Sequence, residues 1–174
     1  MTHRVALLRG VNVGGHRRVP MADLRAGLTA AGLTDVRTYL QSGNAVFSGG
    51  PDDEDEVAQL VRSVVADTCD VDTDVVVRTG AELADVVARN PWPERTSSPK
   101  LLHVLFLSAV PEQVRADRVG ELEEVASDGR EVWVFYGAGA GDSKMRLELP
   151  GVVVTARNWT TVTALAAMAG GGTS

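Results

Sequence analysis

The chain reads as an α+β protein, with a ferredoxin-like split βαβ first half followed by a second small α/β subdomain. Three observations predict this. Residues 1–79 alternate short β-branched or apolar runs with stretches of helical period. Their order is strand, helix, strand, strand, helix, strand, and a further helix and strand alternation fills residues 80–174. At 174 residues and 44% apolar composition the chain can bury one good core, or two small ones, without disulfides or metal. We therefore expect subdomains over 1–79 and 80–174, packed together as one compact unit.

The first strand spans residues 4–9, with Val5, Leu7 and Leu8 as its apolar side chains. Pro20 stands where a helix start tolerates a missing N–H, and Met21, Leu24, Leu28 and Ala31 then recur at helical spacing until Gly32 ends the run. VRTYL at 36–40 and NAVFS at 44–48 flank the turn QSG and read as a hairpin. PDDEDE then sets five acids ahead of a stripe of Val57, Leu60, Val61, Val64 and Val65, and negative charge in a first turn complements the helix dipole. DVVVR at 74–78 closes the first half as a strand.

The second half opens with a helix over 81–88, passes the rigid NPWP at 90–93 and enters a near-continuous apolar strand at 101–107. A helix is expected over 111–126, with Val114, Val119, Leu122 and Val125 on its apolar side. Strand 131–136 follows, then the glycine-rich GAGAGD, strand 152–156 and a last helix over 158–169 with Asn158 as N-cap. The terminal GGGTS is expected to fray.

The net charge of −6 conceals an asymmetry: residues 1–50 carry +4 and the rest −10. Extensive duplex DNA binding is disfavoured by the total, whereas one phosphate can still sit on a local positive face. The apolar stretch between Arg4 and Arg9 is too short for a signal peptide or membrane span, so a cytoplasmic protein with no membrane partner is expected. Cys69 is the single cysteine, which excludes an internal disulfide and a thiolate metal site within one chain.

Topology gives the opening loop LLRGVNVGGHRRVP its neighbours. In a split βαβ sheet the first two strands run in the same direction, so the loop leaving strand one and the turn between strands two and three emerge at the same end. Arg9, Asn12, Gly14, Gly15, Arg17 and Arg18 are thereby brought near Gln41, Ser42 and Asn44, and their amide, hydroxyl and guanidinium donors converge. The glycines fit either a corner requiring positive φ or a backbone nest for an anion. Gly43 suits a hairpin turn, and Asn44 can bond the local backbone.

Familiar chemistries are missing. Residues 10–17, GVNVGGHR, have the glycine spacing of a Walker A loop, but His16 replaces its lysine and Arg17 its hydroxyl, and G-x-G-x-x-G does not occur. His3, His16 and His103 show no ligand spacing, and His103 within LLHVLFL reads as a core or sheet-face residue. The acidic clusters read as helix-start and solvated charge. Ser143 and Lys144 are adjacent, so on an extended segment they face opposite ways, and the S-x-x-K spacing is not met.

LLRGVNVGGHRRVPMADLR, YLQSGNAVF, NPWP, LLHVLFLS, GDSK and TARNWTTVTAL, in that order, resemble the motifs of the bacterial domain-of-unknown-function 1697 family over nearly the whole chain. The resemblance implies a cytoplasmic α+β protein of two small subdomains, the first ferredoxin-like, and implies no activity. It places Arg9, Asn12, Gln41, Ser42, Asn44, Ser143, Lys144, Arg157 and Asn158 on its motifs. Ala164 stands where the family often has lysine.

The sequence thus points to a binding module for a small anion, such as a phosphate-bearing metabolite, nucleotide or short RNA. Its candidate ligand residues are Arg9, Asn12, Gly14, Gly15, Arg17, Gln41, Ser42 and Asn44, joined by Lys144 and Arg157, with no cofactor and no metal. Two rival readings are a cofactor-free enzyme with a positioning site in a cleft between the halves, and a protein-interaction adaptor or homodimer.

Overall fold

The computed structural model describes residues 2–170, so the expected fraying of GGGTS lies, beyond Gly170, outside the described residues. Strand β1 (His3–Leu8) leads to helix α1 (Met21–Ala30), the hairpin β2 (Thr34–Thr38) and β3 (Asn44–Ser48), helix α2 (Glu54–Cys69) and β4 (Val75–Thr79). The sheet order is β2-β3-β1-β4 and every pairing is antiparallel. This is the split βαβ arrangement expected for the first half.

Local rules account for the elements. Asp53 caps α2 by accepting from the Glu56 amide at 3.0 Å, and Glu54, Asp55 and Glu56 fill its first turn. Asp70 ends that helix in the left-handed conformation, φ 55°. Alternate residues of β1, β3 and β4, Ala6, Leu8, Ala45, Phe47 and Val77, pack with Leu24, Leu28, Val57, Val61 and Val65 from the two helices into one core.

The chain divides into two units: residues up to Ala84 together with those from Leu165 onward, and Asp85–Ala164. Helix α3 (Gly80–Ala88) therefore begins in the first unit and ends in the second, and the last helix, given below, makes the return crossing. Near that return, Gly80 stands where a Cβ would lie 2.5 Å from the Ala169 carbonyl oxygen, so only glycine permits the approach.

In the second unit β5 (Leu102–Leu107), β6 (Arg115–Asp117), β7 (Glu123–Asp128), β8 (Glu131–Tyr136), β9 (Arg146–Glu148) and β10 (Val154–Asn158) precede α4 (Trp159–Ala169). One antiparallel sheet runs β10-β5-β8-β7, and β6 pairs with β9 separately. Leu105, Leu107, Val132 and Val134 form its core with Val125, Tyr136, Leu147 and Val154 against them. Asn158 caps α4 as expected, accepting from the Thr161 amide at 3.0 Å.

The helix expected over 111–126 does not form. β7 instead pairs along its whole length with β8 through the two-residue turn Gly129–Arg130, with Gly129 at φ 59°. Val119 and Leu122, assigned to the buried side of that helix, are 44% and 66% exposed. Arg89 braces the hairpin: it bonds Asp85 at 2.6 Å, Asp128 at 3.0 Å and the nearly buried Glu131 at 3.0 Å, and lies 5.2 Å from the Trp133 ring centroid.

His103 lies on β5 in a T-shaped contact with Tyr136, ring centroids 5.1 Å apart at 85°. Burial depresses its pKa below the ordinary 6.5, opposed by a weaker backbone hydrogen bond at Leu101. The unfolded chain therefore takes up the proton first as pH falls. The stability held by neutral His103 is complete above about 6.5 and is lost as pH drops through that value toward the folded-state pKa. Urea unfolding at pH 8 and pH 5.5 should show this loss in the parent protein and a smaller one in His103→Phe, which keeps the edge-on ring contact. An equal loss in both would contradict it.

Candidate functional site

The antiparallel order sets which loops meet. β1 ends where the β2–β3 turn and the segment entering β4 also lie: Leu7 pairs with Asn44 and Leu8 with Val75. The Leu8 amide donates to the Gly43 carbonyl at 2.9 Å, and the Arg9 amide to the Asp74 carbonyl at 3.0 Å. The opening loop and the β2–β3 turn thus meet at one end of the sheet, as strand direction predicts, and Asn12 bonds Gln41 across them.

Within the opening loop the Asn12 amide donates to the Arg17 carbonyl, and His16 to Val13, closing a miniature hairpin over Gly14 and Gly15. Both glycines have positive φ, 61° and 76°, as a two-residue turn of the mirror-image type requires. They make the corner. The Asn12 side chain clasps the loop: its Oδ1 accepts from the Val19 amide at 2.8 Å, and its Nδ2 donates to the Val19 carbonyl at 2.9 Å and the Gln41 carbonyl at 2.6 Å. Asn44 is fully buried and donates to the Tyr39 carbonyl and to Ser42 Oγ, both at 2.8 Å. Asn12, Ser42 and Asn44 therefore spend these polar groups holding the rim in shape.

Three guanidinium groups remain on the open side. Arg9, Arg17 and Arg62 line a cavity of about 460 Å³ with Gly10, Asp72 and Asp74. Arg17 is a brace as well as a cation, since its Nε donates to the Gly10 carbonyl at 3.0 Å and its Nη2 to the Asp72 carbonyl at 2.7 Å. Arg62 Nε donates to Asp72 Oδ1 at 2.8 Å and its Nη1 lies 3.5 Å from Asp74. The hydrogen bond and charge of Arg62 hold the Asp72 carboxyl below its ordinary range. Arg9 is the least committed: its side chain is 57% exposed and its Nη1 approaches Asp74 Oδ2 only to 3.6 Å.

Arg62, Asp72 and Asp74 were not among the residues expected from sequence. The signal was present in the order of strands: β4 antiparallel beside β1 must begin at the end where β1 stops, which carries DVDTD at 70–74 to the basic loop. The +4 of the opening segment is consequently met by acids distant in sequence, and the cavity holds three cations against two carboxylates.

Lys144 and Arg157 belong to the second unit. Lys144 is exposed and lines a different cavity there. Arg157 on β10 is 7% exposed, and its Nη1 donates to Thr155 Oγ1 at 2.8 Å and to the Ala156 carbonyl at 2.9 Å. Burial lowers its pKa to about 10, which leaves it protonated at neutral pH. Among the described residues no helix is long and apolar enough to cross a membrane, and no three His, Cys, Asp or Glu side chains group as a metal site.

Fold and rim together define an α+β protein whose first half is a ferredoxin-like sheet with a polar, arginine-lined loop end. The chain belongs to the family described as "Protein of unknown function (DUF1697)", whose model matches residues 1–136. It is similar to a solved structure, that of the conserved bacterial protein SP0830 from Streptococcus pneumoniae, with a TM-score of 0.70 and 22% identity over 98% of this chain and 99% of that one. At that identity the likeness concerns the fold. No curated protein matches the sequence.

Proposed function

We propose that the rim of the first unit binds a small phosphate-bearing anion, with Arg9 as the principal ligand and Arg17 and Arg62 beside it. The observation that carries this reading is the convergence of three guanidinium groups on one open cavity with only two carboxylates. Guanidinium forks match phosphate oxygens geometrically, and a phosphate can replace the long Arg9–Asp74 contact of 3.6 Å with shorter charge-assisted bonds. Asp72 and Asp74, together with a net charge of −6, favour a compact ligand over a long polyanion. A phosphorylated metabolite or nucleotide fits this description and accords with a cytoplasmic setting.

Strain supports the location. Asn12, Arg17 and Leu40 have φ between 54° and 56°, and all three lie in the loops at this end of the sheet, beside the left-handed cap Asp70 of α2. Such backbone conformations gather where a binding surface is held in place by its surroundings.

Titration calorimetry with inorganic phosphate, a mononucleotide and a short RNA at two salt concentrations provides the test. The expected result is binding that weakens with salt and, for Arg9→Ala, falls by about 10-fold or more. Arg9 is the informative position because Arg17→Ala would also loosen the loop. Absence of binding by the parent protein to all three probes, or an unchanged affinity in Arg9→Ala, would remove the proposal.

A further inference from the structure

The GDSK segment, unused by the rim, builds part of a second cavity. It has a volume of about 610 Å³ and lies between the loop 118–123 and residues 138–144 of the second unit. That volume falls in the range of small-molecule sites. Its apolar surface comes from Val119 and Leu122, 44% and 66% exposed, an unusual state for two large aliphatic side chains so close together.

The wall is held open by specific contacts. Gly137 donates to the Leu122 carbonyl at 3.1 Å, and a Cβ on Gly137 would sit 2.3 Å from that oxygen, so glycine alone permits the loop to rest there. Glu123 accepts from the Gly120 amide at 2.7 Å and is hydrogen-bonded by Ser143, which ties the two walls together. The Leu122 backbone is thus fixed while its side chain faces outward.

Two cations stand at this cavity, Arg118 from one wall and Lys144 from the other, and neither has a protein hydrogen-bond or ion-pair partner among the described residues. Glu121, Glu123 and Asp142 also line it, three carboxylates against two cations; Glu123 is committed to the Gly120 amide and Ser143, and the acids disfavour any ligand carrying several negative charges. We propose that this cavity binds an amphiphilic monocarboxylate, its apolar body against Val119 and Leu122 and its carboxylate between Lys144 and Arg118. The proposal is independent of the anion rim, which lies in the other unit.

The probes are octanoate, 1-octanol, octylamine and hexanoate, followed by titration calorimetry and by amide shifts on the full chain. Octanoate should bind, with amide shifts confined to 118–123 and 137–145. Octanol should bind about 10-fold more weakly, and removal of two methylenes in hexanoate should weaken binding by roughly 10-fold. Lys144→Gln should reduce octanoate affinity several-fold while leaving octanol unchanged, a split that a merely misfolded variant would not show.

Three outcomes would overturn the proposal. The first is no octanoate binding. The second is equal affinity for octanoate and octanol, which would mean an apolar hollow only. The third is preference for octylamine, which would mean that Glu121, Glu123 and Asp142 govern the site.

Discussion

Gly43→Val is expected to destabilise the protein by about 2–5 kcal/mol, read as a lowered urea midpoint with an unchanged slope. Two penalties add at this position. Gly43 has φ 86°, a conformation strongly unfavourable for a β-branched residue, and its Cβ would lie 2.7 Å from Val11 Cγ2 and 2.8 Å from Leu8 Cβ. Both neighbours are buried, Leu8 completely and Val11 to 2% exposure, so neither side chain has free space to enter. The Gly43 carbonyl also accepts from the Leu8 amide, so displacing the turn breaks the join between hairpin and β1. Gly14→Ala is the contrasting case: it shares positive φ but has no atom within 4 Å of the added Cβ, and should lose only about 1 kcal/mol. Equal losses at the two positions would show that crowding against β1 plays no part.

Asn12→Ala is expected to lose about 2–4 kcal/mol, because alanine removes all three side-chain bonds of the clasp and must itself adopt φ 56°. The Val19 amide, in a buried residue, then has no Asn12 acceptor, and the loop is released from the Gln41 carbonyl. Hydrogen exchange at Val19 should quicken together with the drop in urea midpoint. Asn12→Asp separates the components, since it retains an acceptor for Val19 but removes both donated bonds and places a carboxylate against carbonyl oxygens. If Asn12→Ala kept parental stability and changed only phosphate affinity, Asn12 would be a ligand contact and the clasp assignment would fail.

The first half was readable because its signals are local and mutually consistent. The acid-rich start of α2, the apolar stripe behind it and the Pro20 and Gly32 boundaries of α1 each act over one or two turns of chain. In the segment 111–126 the local signals conflict. Val119, Leu122 and Val125 stand three residues apart and mimic a helical stripe, although Gly120 interrupts it and Asp128–Gly129 signals a hairpin. The pairing with β8 decides that segment, and period alone is blind to a strand's partner.

At the rim, the meeting of Arg9, Asn12 and Arg17 with residues 41–44 followed from strand direction, whereas the duties of the individual side chains did not. Asn12 and Asn44 carry donors that would serve a ligand or the backbone equally well by type. Only the burial of Asn44 and the carbonyls that surround both side chains turn them toward the loops themselves.

The amino-acid sequence alone determined the α+β class, the order of elements in the first half, the family, and the end of the sheet where the polar loops gather. These are consequences of short-range periodicity and of the handed, alternating way in which strands and helices connect. The tertiary structure alone decided that Asp72 and Asp74 stand beside Arg9 and Arg17, and that Lys144 lines a separate cavity with Arg118. Charges compensate one another by distance in space, and residues 9 and 74 become neighbours only when β4 lies down antiparallel to β1.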